Sequence, residues 1–354
     1  MQDDERRFGN FLRNLKLADA RNALEADPVH GVTKFSSLTQ VRPAPQSTRP
    51  TSARGRLSFE GNHTPKHSAA CATARISSSH RPVFVPSFQA EFEKLLLLDN
   101  LPQPSALLAR AVDSPKYDPL NDGPVAKDWS GALTTPVRDQ KDCASGWAFA
   151  AASQVESDAQ RLLGVRYTLS PQQLLACDDH SEYCAGGWPE AAYAYVRRAG
   201  GVERESSYPY ASHGGGEPSC KAAVDDFVVG LDAGPASTIA RETREATELA
   251  MAAHVNATGP LVVCVDATKF STYVGGVVSD CGSVVNHCLQ AVGLRVDASG
   301  QGWWRLRNSW GSDWGEGGHV RLAFGADTCA ITHRPTFVTP SYTAARLRQA
   351  RDAD

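Results

Sequence analysis

The sequence predicts an α+β protein, because one long helical segment and two buried strands stand out along the chain. Residues 146–163, GWAFAAASQVESDAQRLL, are rich in alanine, the residue with the highest helix propensity. Residues 260–267, PLVVCVDA, and 288–296, CLQAVGLRV, are short apolar runs typical of buried strands. Together these segments predict a fold that contains both kinds of element.

Composition restricts the classes of protein to which the chain can belong. Its 354 residues are enough for one large domain or two ordinary ones with a sizeable core. Hydrophobic residues at 42% and charged residues at 21% are typical of globular proteins, and no apolar run reaches membrane-spanning length. The net charge of −3 argues against a nucleic-acid partner. We therefore expect no membrane or nucleic-acid partner. We also expect a monomer.

The N-terminal region, residues 1–40, is charged and predicts an amphipathic helix. Its apolar residues follow the three-to-four spacing of one helix face. They are Phe8, Phe11, Leu12, Leu15 and Leu24. Taken alone, this pattern indicates an ordinary surface helix.

Residues 41–89 differ in composition from both flanks. They hold six Pro, eight Ser and six Arg, and Glu60 is their only acid. Such a segment cannot bury enough apolar surface to offset the entropy of ordering, so it predicts disorder.

The cysteine count predicts an oxidising compartment. Nine cysteines imply several disulfides and at least one unpaired thiol. The stretch CDDHSEYC, from Cys177 to Cys184 with His180 inside, is an alternative metal site. It lacks the paired C-x2-C spacing of zinc sites, so we expect no metal and no cofactor. Met1 is followed at once by QDDERRF, so no signal peptide is visible and we expect an incomplete N-terminus.

Six motifs follow one another from residue 128 to the C-terminal part of the chain. They are DWSGALTTPVRDQKDCASGWAFAAASQVE, LSPQQLLACD, CAGGWPEAA, SYPY, VVNHCLQAVG and WWRLRNSWGSDWGEGGHVRL. In kind and order they resemble the papain-like cysteine proteases of the cathepsin L-like subfamily. The resemblance covers more than 200 residues and is therefore highly specific. It implies a papain-like two-lobe fold, with a helical left lobe, an antiparallel β-barrel right lobe and a substrate cleft between them.

The N-terminal region resembles the propeptide of the same subfamily. Six residues fall at intervals of four, four, three, four and four, as in its ERFNIN helix: Asp3, Arg7, Phe11, Asn14, Ala18 and Asn22. The stretch HGVTKFSSLT resembles its Gly-x-Asn-x-Phe-x-Asp strand, through Gly31, Thr33, Phe35 and Ser37. The resemblance implies an inhibitory propeptide over 1–121, a peptidase domain over 122–338 and a tail over 339–354. Ser37 lacks the acid that would make propeptide release pH-dependent.

The segment 41–89 interrupts that propeptide. SLTQ and AEFEKLLLL match adjacent edges of the family pattern, with 49 residues between them. Two interpretations stay open, a disordered insert and an intron retained in frame. A cDNA that contains the segment would exclude the second. The tail is predicted to be a short exposed helix or disordered.

The resemblance also implies a set of disulfides. Cys143–Cys184 and Cys177–Cys220 belong to the left lobe, and Cys281–Cys329 belongs to the right lobe. Cys264 and Cys288 remain, on strands that the family places along the pocket for the second substrate residue. The simpler interpretation is two buried, inert thiols, and the alternative is a disulfide between the strands that narrows this pocket.

The active-site residues of the family can be assigned by the same resemblance, with one exception. It makes Gln140 the oxyanion donor, His287 the acid and base, and Asn308 the amide that orients His287. The nucleophilic cysteine of the family aligns with Gly146, which has no side chain to attack a substrate. The implied substrate-binding residues are Gly186, Gly187, Trp188, Pro189, Cys264, Asn286, Cys288 and Trp310.

Three functions are compatible with this pattern. The first is an inactive pseudoprotease whose cleft still binds peptides or cystatin-like inhibitors. The second is an active cysteine endopeptidase, if Gly146 is a sequence or gene-model error, since Cys and Gly codons differ by one base. The third is a storage or structural protein. The family implies a lysosomal, vacuolar or extracellular location, where Asn256-Ala257-Thr258 is a candidate glycosylation site.

Overall fold

The structure is a computed structural model that describes residues 15, 17–23, 25, 29–31, 33, 96, 109–113, 115–118 and 122–343. Several predictions lie outside the described residues. They concern the segment 41–89 with Cys71, all of the ERFNIN-like and apolar positions before residue 15, Leu24, Phe35, Ser37 and the tail from residue 344.

Four helices of at least seven residues lie within the described part of the chain. They are α1 (Gly146–Leu163), α2 (Pro171–Cys177), α3 (Pro189–Ala199) and α4 (Arg244–Ala257). Helix α1 coincides with the alanine-rich segment and ends at Gly164, whose φ of 66° is accessible to glycine. Helices α2 and α4 begin at hydroxyl caps, because Ser170 accepts from the backbone N–H of Gln173 and Thr243 accepts from that of Ala246.

The strands are short apart from those at the centre of the main sheet. They are β1 (Ala109–Ala111), β2 (Val125–Asp128), β3 (Val202–Glu203), β4 (Phe227–Leu231), β5 (Ala236–Thr238), β6 (Leu261–Val265), β7 (Val277–Val278), β8 (His287–Val296), β9 (Gly302–Arg307), β10 (His319–Ala323), β11 (Thr336–Phe337) and β12 (Pro340–Ser341). The two apolar runs predicted as strands are β6 and β8.

The described strands form two sheets. The larger follows the order β1-β5-β11-β6-β8-β9-β10-β7, and β2 pairs with β8 beside this path. Its neighbours are antiparallel except at the two ends, where β1 pairs with β5 and β10 pairs with β7 in parallel. The smaller sheet has the order β12-β4-β3.

Two hydrophobic clusters correspond to the two predicted lobes. The right-lobe cluster lies on the large sheet, and its largest fully buried members are Trp304, Trp310, Trp314, Phe270 and Tyr273. The left-lobe cluster surrounds α1, and its largest fully buried members are Trp147, Tyr193, Leu169, Leu174 and Leu175. Cys264 and Cys288 belong to the left-lobe cluster although they lie on β6 and β8, so one face of the sheet packs against the helical lobe.

Described residues of the N-terminal region dock on the segment 268–280. Residues 17–22 are helical, and the buried Arg21 donates to the carbonyl of Lys269 and to the hydroxyl of Thr272, at 3.0 and 2.8 Å. His30 pairs with Tyr273 as an isolated β-bridge. The carboxylate of Glu25 accepts from the backbone N–H and hydroxyl of Ser279.

Four disulfides account for eight of the nine cysteines. They are Cys143–Cys184, Cys177–Cys220, Cys264–Cys288 and Cys281–Cys329. The simpler expectation of two inert thiols at Cys264 and Cys288 is therefore wrong. These residues are directly opposite each other on β6 and β8, so their Cα atoms are only 4.0 Å apart.

The prediction for the start of the tail is also wrong. Pro340 and Ser341 form β12 and pair antiparallel with Leu231 and Gly230. Thr343 is buried and donates its hydroxyl to the carbonyl of Phe227. Two residues are too few to show a period in the sequence, and their partners on β4 lie more than 100 residues earlier.

No helix among the described residues is both long enough and apolar enough to cross a membrane.

Candidate active site

The four residues assigned by resemblance to catalysis meet where the two lobes face each other. Gly146 is the first residue of α1, His287 is the first residue of β8, and Asn308 directly follows β9. Gln140 lies in the loop before α1, and its backbone N–H donates to the carbonyl of Ser309 at 2.8 Å. One backbone hydrogen bond thus attaches the left-lobe loop to the right-lobe strand end.

His287 is held on two sides. Its Nε2 donates to Oδ1 of Asn308 at 2.8 Å, and the same Oδ1 accepts from the backbone N–H of Ser309. The indole of Trp310 stacks on the imidazole, with ring centroids 4.7 Å apart and an interplanar angle of 24°. This arrangement leaves Nδ1 on the side of the ring that faces helix α1.

Gly146 lies against that side of the ring. A Cβ atom placed on Gly146 would be 2.3 Å from Cε1 and 2.6 Å from Nδ1 of His287. Separations below 3.0 Å do not occur between real atoms of this kind, so the imidazole fills the space of the missing side chain. Nδ1 is buried and has no hydrogen-bond partner among the described residues.

Burial makes His287 a weak base. The side chain is fully buried, and this lowers the pKa of the imidazole to about 4, although the hydrogen bond that it donates to Asn308 acts in the opposite direction. The ring is therefore neutral at pH 7. A Cys–His pair in a thiol protease instead relies on an imidazolium to lower the thiol pKa.

Gln140 presents its amide oxygen to Gly146. Its Oε1 lies 3.2 Å from the position of a Cβ on Gly146 and accepts from the hydroxyl of Ser309 at 2.7 Å. Its Nε2 donates to the carbonyl of Cys143 at 2.8 Å. An oxyanion donor must direct an N–H at the reacting carbonyl. In this conformation the amide oxygen of Gln140 lies closer to the Cβ position of residue 146 than its N–H group does.

The predicted substrate-binding residues Gly186, Gly187 and Trp188 form the loop before α3, and Pro189 begins that helix; we call these four residues the substrate clamp. A Cβ on Gly187 would lie 2.5 Å from Trp147 and 2.6 Å from Oγ of Ser181, so only glycine fits there. Trp188 is 6% exposed and precedes the proline that begins α3. The clamp thus stands next to Trp147, the second residue of α1.

Three other predicted substrate-binding residues are bonded within the protein. Cys264 and Cys288 are each 1% exposed and joined by their disulfide. Asn286 accepts from the backbone N–H of Ala267 and donates to the hydroxyl of Thr268. Contact of these three side chains with a ligand stays a prediction.

Sequence reasoning missed several residues that shape the site. Ser309 fixes the amide of Gln140, and Tyr210 donates to the carbonyl of Gln140 at 2.8 Å and contacts the hydroxyl of Ser145 at 2.9 Å. Tyr210 lies in the motif SYPY and Ser309 in the motif WWRLRNSWGSDWGEGGHVRL, and these positions were the available signal. Arg334 lies in no such motif, yet its Nε donates to the buried carboxylate of Glu190, beside the clamp, at 2.9 Å.

The alternative metal site loses both of its thiolates, since Cys177 and Cys184 are in disulfides. Asp178, Asp179 and His180 still place one ligand atom each within 4.8 Å of one another. The guanidinium of Arg198 pairs with Asp179, and Asp178 accepts from the hydroxyl of Ser181. Arg198 thus already supplies a positive charge to the acidic group formed by Asp178 and Asp179, where a metal ion would otherwise bind.

Comparison with known proteins identifies relatives of the chain. The family model described as papain family cysteine protease matches residues 123–339. Cysteine proteinase 2 of Leishmania pifanoi is 30% identical over 341 residues, which are 95% of this chain and 64% of that protein. The chain thus spans about 64% of the length of this relative. Digestive cysteine proteinase 3 of Homarus americanus is 34% identical over 228 residues, 61% of this chain and 68% of that protein.

A solved structure shares the fold. Digestive procathepsin L 3 of the Tenebrio molitor larval midgut superposes with a TM-score of 0.68 at 24% sequence identity. The superposition covers 95% of this chain and 92% of that structure.

Proposed function

The chain belongs to the papain family of cysteine proteases, and we propose that it is an inactive member that binds peptides in its cleft. The observation that carries this proposal is the pair formed by Gly146 and His287. The position of the nucleophile has no side chain, and the imidazole occupies the space that a Cβ would need.

Other groups at the site do not replace the missing thiol. Ser145 is next in sequence, but its hydroxyl is buried against Tyr210 and the carbonyl of Cys143. Cys288 follows His287, but it is in a disulfide. A neutral His287 could activate only water, and a protease site without its nucleophile retains about 10³–10⁴-fold catalysis over water. On peptide bonds this is effectively no activity.

Peptide binding is proposed because the clamp is intact. By family resemblance Gly186 and Gly187 are the residues that pair with a substrate backbone, and Trp188 and Pro189 are the apolar wall. All four are buried. A cystatin-like inhibitor uses the same kind of cleft and is the proposed competitor.

The N-terminal region, over about 1–121, is proposed as an inhibitory propeptide. In support, Arg21, Glu25 and His30 dock on the segment 268–280 of the peptidase domain. Four disulfides support an oxidising compartment, and we propose a lysosomal, vacuolar or extracellular location.

The peptide-binding proposal can be tested by fluorescence anisotropy with dansyl-Leu-Leu-Gln-amide, a fluorescent peptide that is uncharged at pH 7. We expect binding after an added protease has removed the N-terminal region, and we expect a cystatin to displace the peptide. Trp188→Ala should weaken binding, whereas Trp303→Ala, on the distant strand β9, should not. A cleaved protein that binds neither the peptide nor the cystatin would favour the storage or structural function.

A further inference from the structure

A cavity of about 360 Å³ lies on the left lobe, between the segment that follows α1 and the segment that follows β3. We call it the two-arginine pocket. Its described lining residues are Arg166, Tyr167, Thr168, Arg204 and Ser206, and none of them belongs to the candidate active site or the clamp. This lining contains two guanidinium groups and no carboxylate. The volume is within the range of small-molecule pockets, and the charge favours an anionic ligand.

Backbone hydrogen bonds hold the two walls of the two-arginine pocket together. Leu169 and Arg204 form an isolated antiparallel β-bridge. Beside it, the N–H of Glu205 donates to the carbonyl of Thr168 at 2.9 Å. The pocket is therefore formed before any ligand arrives, which lowers the entropic cost of binding.

Arg166 keeps its positive charge without an acidic partner. It is exposed, and its Nη2 donates to the carbonyls of Gly131 and Thr134, the second at 2.8 Å. These carbonyls carry no formal charge. Nε and Nη1 of Arg166 bond to none of the residues that the structure describes, so both remain available to a ligand.

Arg204 is also free of acidic partners. Its guanidinium carbon lies 4.7 Å from the ring centroid of Tyr167, so the ring covers one face and leaves the N–H groups at the edge available. Glu205, the next residue, pairs with Arg138 at 3.4 Å instead. No described acid forms an ion pair with Arg166 or Arg204. The pocket thus has an uncompensated positive charge.

We propose that the two-arginine pocket binds the phosphate group of a phosphate monoester. Such a group carries a charge of about −1.5 to −2 at pH 7 and three acceptor oxygens, which match two guanidinium groups. A carboxylate has two oxygens and a single charge, so it satisfies only one of the two guanidinium forks. The exposed hydroxyls of Thr168 and Ser206 supply further donors. This assignment is independent of the proposed peptide-binding function.

The experiment titrates the full chain at low salt with four sugars that share one ring: glucose, glucuronate, glucose 6-sulfate and glucose 6-phosphate. Binding is followed by NMR on the side-chain Nε–H signals of arginine. We expect glucose 6-phosphate to shift the signals of Arg166 and Arg204 saturably and glucose to shift neither. Glucuronate and glucose 6-sulfate should bind at least about threefold more weakly, because each carries one charge less. Added salt should weaken binding.

A fifth probe, acetyl-phosphoserine-amide, distinguishes a sugar phosphate from a phosphorylated side chain as the source of the group. Saturable binding of this probe would support the same phosphate site. The probe with the lower dissociation constant, this one or glucose 6-phosphate, identifies the source.

Arginine variants locate the site. Arg204→Gln should weaken the binding of glucose 6-phosphate about threefold, and Arg166→Gln with Arg204→Gln at least about tenfold, since each change removes one exposed ion pair. Arg295→Gln, at an exposed position of β8, is the matched control and should bind as the native protein does. Melting temperatures check that the variants fold. Arg204→Gln loses no hydrogen bond to the backbone, so it decides the outcome even if the double variant unfolds.

Three results would overturn the proposal: no saturable binding of either phosphate ester, equal affinity for glucose 6-phosphate and glucuronate, or undiminished binding by Arg204→Gln. Tighter binding of glucose 6-sulfate than of glucose 6-phosphate would overturn the assignment of the ligand as a phosphate.

Discussion

The chemistry of the site depends on a single position, residue 146. Its neighbours from both lobes are in place, but the imidazole of His287 fills the space where a side chain would begin. The sequence identified Gly146, Gln140, His287 and Asn308 through their motifs. It could not show where the imidazole lies, since that follows from the stacking on Trp310 and the hydrogen bond to Asn308, two residues that are more than 20 positions later in the chain.

Gly146→Ala tests the packing at this position. A methyl group here must displace a buried ring, and overpacking of this kind costs about 1–3 kcal/mol. The higher helix propensity of alanine returns about 0.5–1 kcal/mol. We expect a net loss of about 1–2 kcal/mol in the free energy of unfolding, measured by urea denaturation. Gly214→Ala is the matched control, because a Cβ there meets no atom within 4 Å. A Gly146→Ala variant as stable as the native protein would contradict the observed position of the ring.

At the scale of elements, helix α1 and strands β6 and β8 were predictable because long periodic or apolar segments determine them locally. The disulfide between β6 and β8 stayed an open alternative, since strand register decides it and the sequence does not show register. Strand β12 was missed for a related reason, because its stability comes from a partner strand that is remote in the chain.

The disulfides can be checked by counting thiols. Eight of nine cysteines are paired, so the denatured, unreduced protein should react with one equivalent of a thiol reagent. Reduction should raise the count to nine. Three reactive thiols without reduction would mean that Cys264 and Cys288 are unpaired, as the simpler interpretation held.

Docking of the N-terminal region is predicted to weaken in acid. Burial, followed by the nearby charges of Arg21 and Lys269, lowers the pKa of His30 to about 4, although Asp280 acts in the opposite direction. The pKa of His30 in the folded state is below its unfolded value near 6.5. The contribution of neutral His30 to the free energy of unfolding is therefore fully present above pH 6.5. It is lost as the pH falls towards 4.

The melting temperatures of the native protein and His30→Gln at pH 7 and pH 4.5 test this linkage. We expect acid to lower the melting temperature of His30→Gln by less than that of the native protein. His180→Gln is the control, since His180 is about half exposed. Equal decreases in melting temperature for the native protein and His30→Gln would show that His30 does not cause the acid-dependent weakening.

At the scale of the whole molecule, a buried polar cluster joins the lobes around Glu156. Its carboxylate accepts from the hydroxyl of Thr135 at 2.6 Å and the backbone N–H of Leu169 at 2.8 Å, and pairs with Arg138 at 3.0 Å. Arg307, at the end of β9, donates to the carbonyl of Thr135. The two lobes were expected from the family resemblance, but no local pattern in the sequence indicates this cluster.

Glu156→Gln should destabilise the protein strongly. It removes one partner of a buried ion pair and leaves Arg138 without its nearest carboxylate, which costs about 3–5 kcal/mol. Chemical denaturation measures the change, and Glu182→Gln, at an exposed acid, should stay within about 0.5 kcal/mol of the native value. A similar, small change in both variants would show that the cluster contributes little to the stability of the two-lobe structure.

Cleavage of a fluorogenic dipeptide tests most directly the claim that Gly146 makes the protein inactive. The native protein and Gly146→Cys would be compared after an added protease has removed the N-terminal region. We predict no cleavage above buffer and no labelling by an epoxide thiol inhibitor for the native protein. Gly146→Cys should cleave slowly, because its Cβ must displace the ring of His287, and the same inhibitor should block it. Rapid cleavage by the native protein that this inhibitor abolishes would contradict the account.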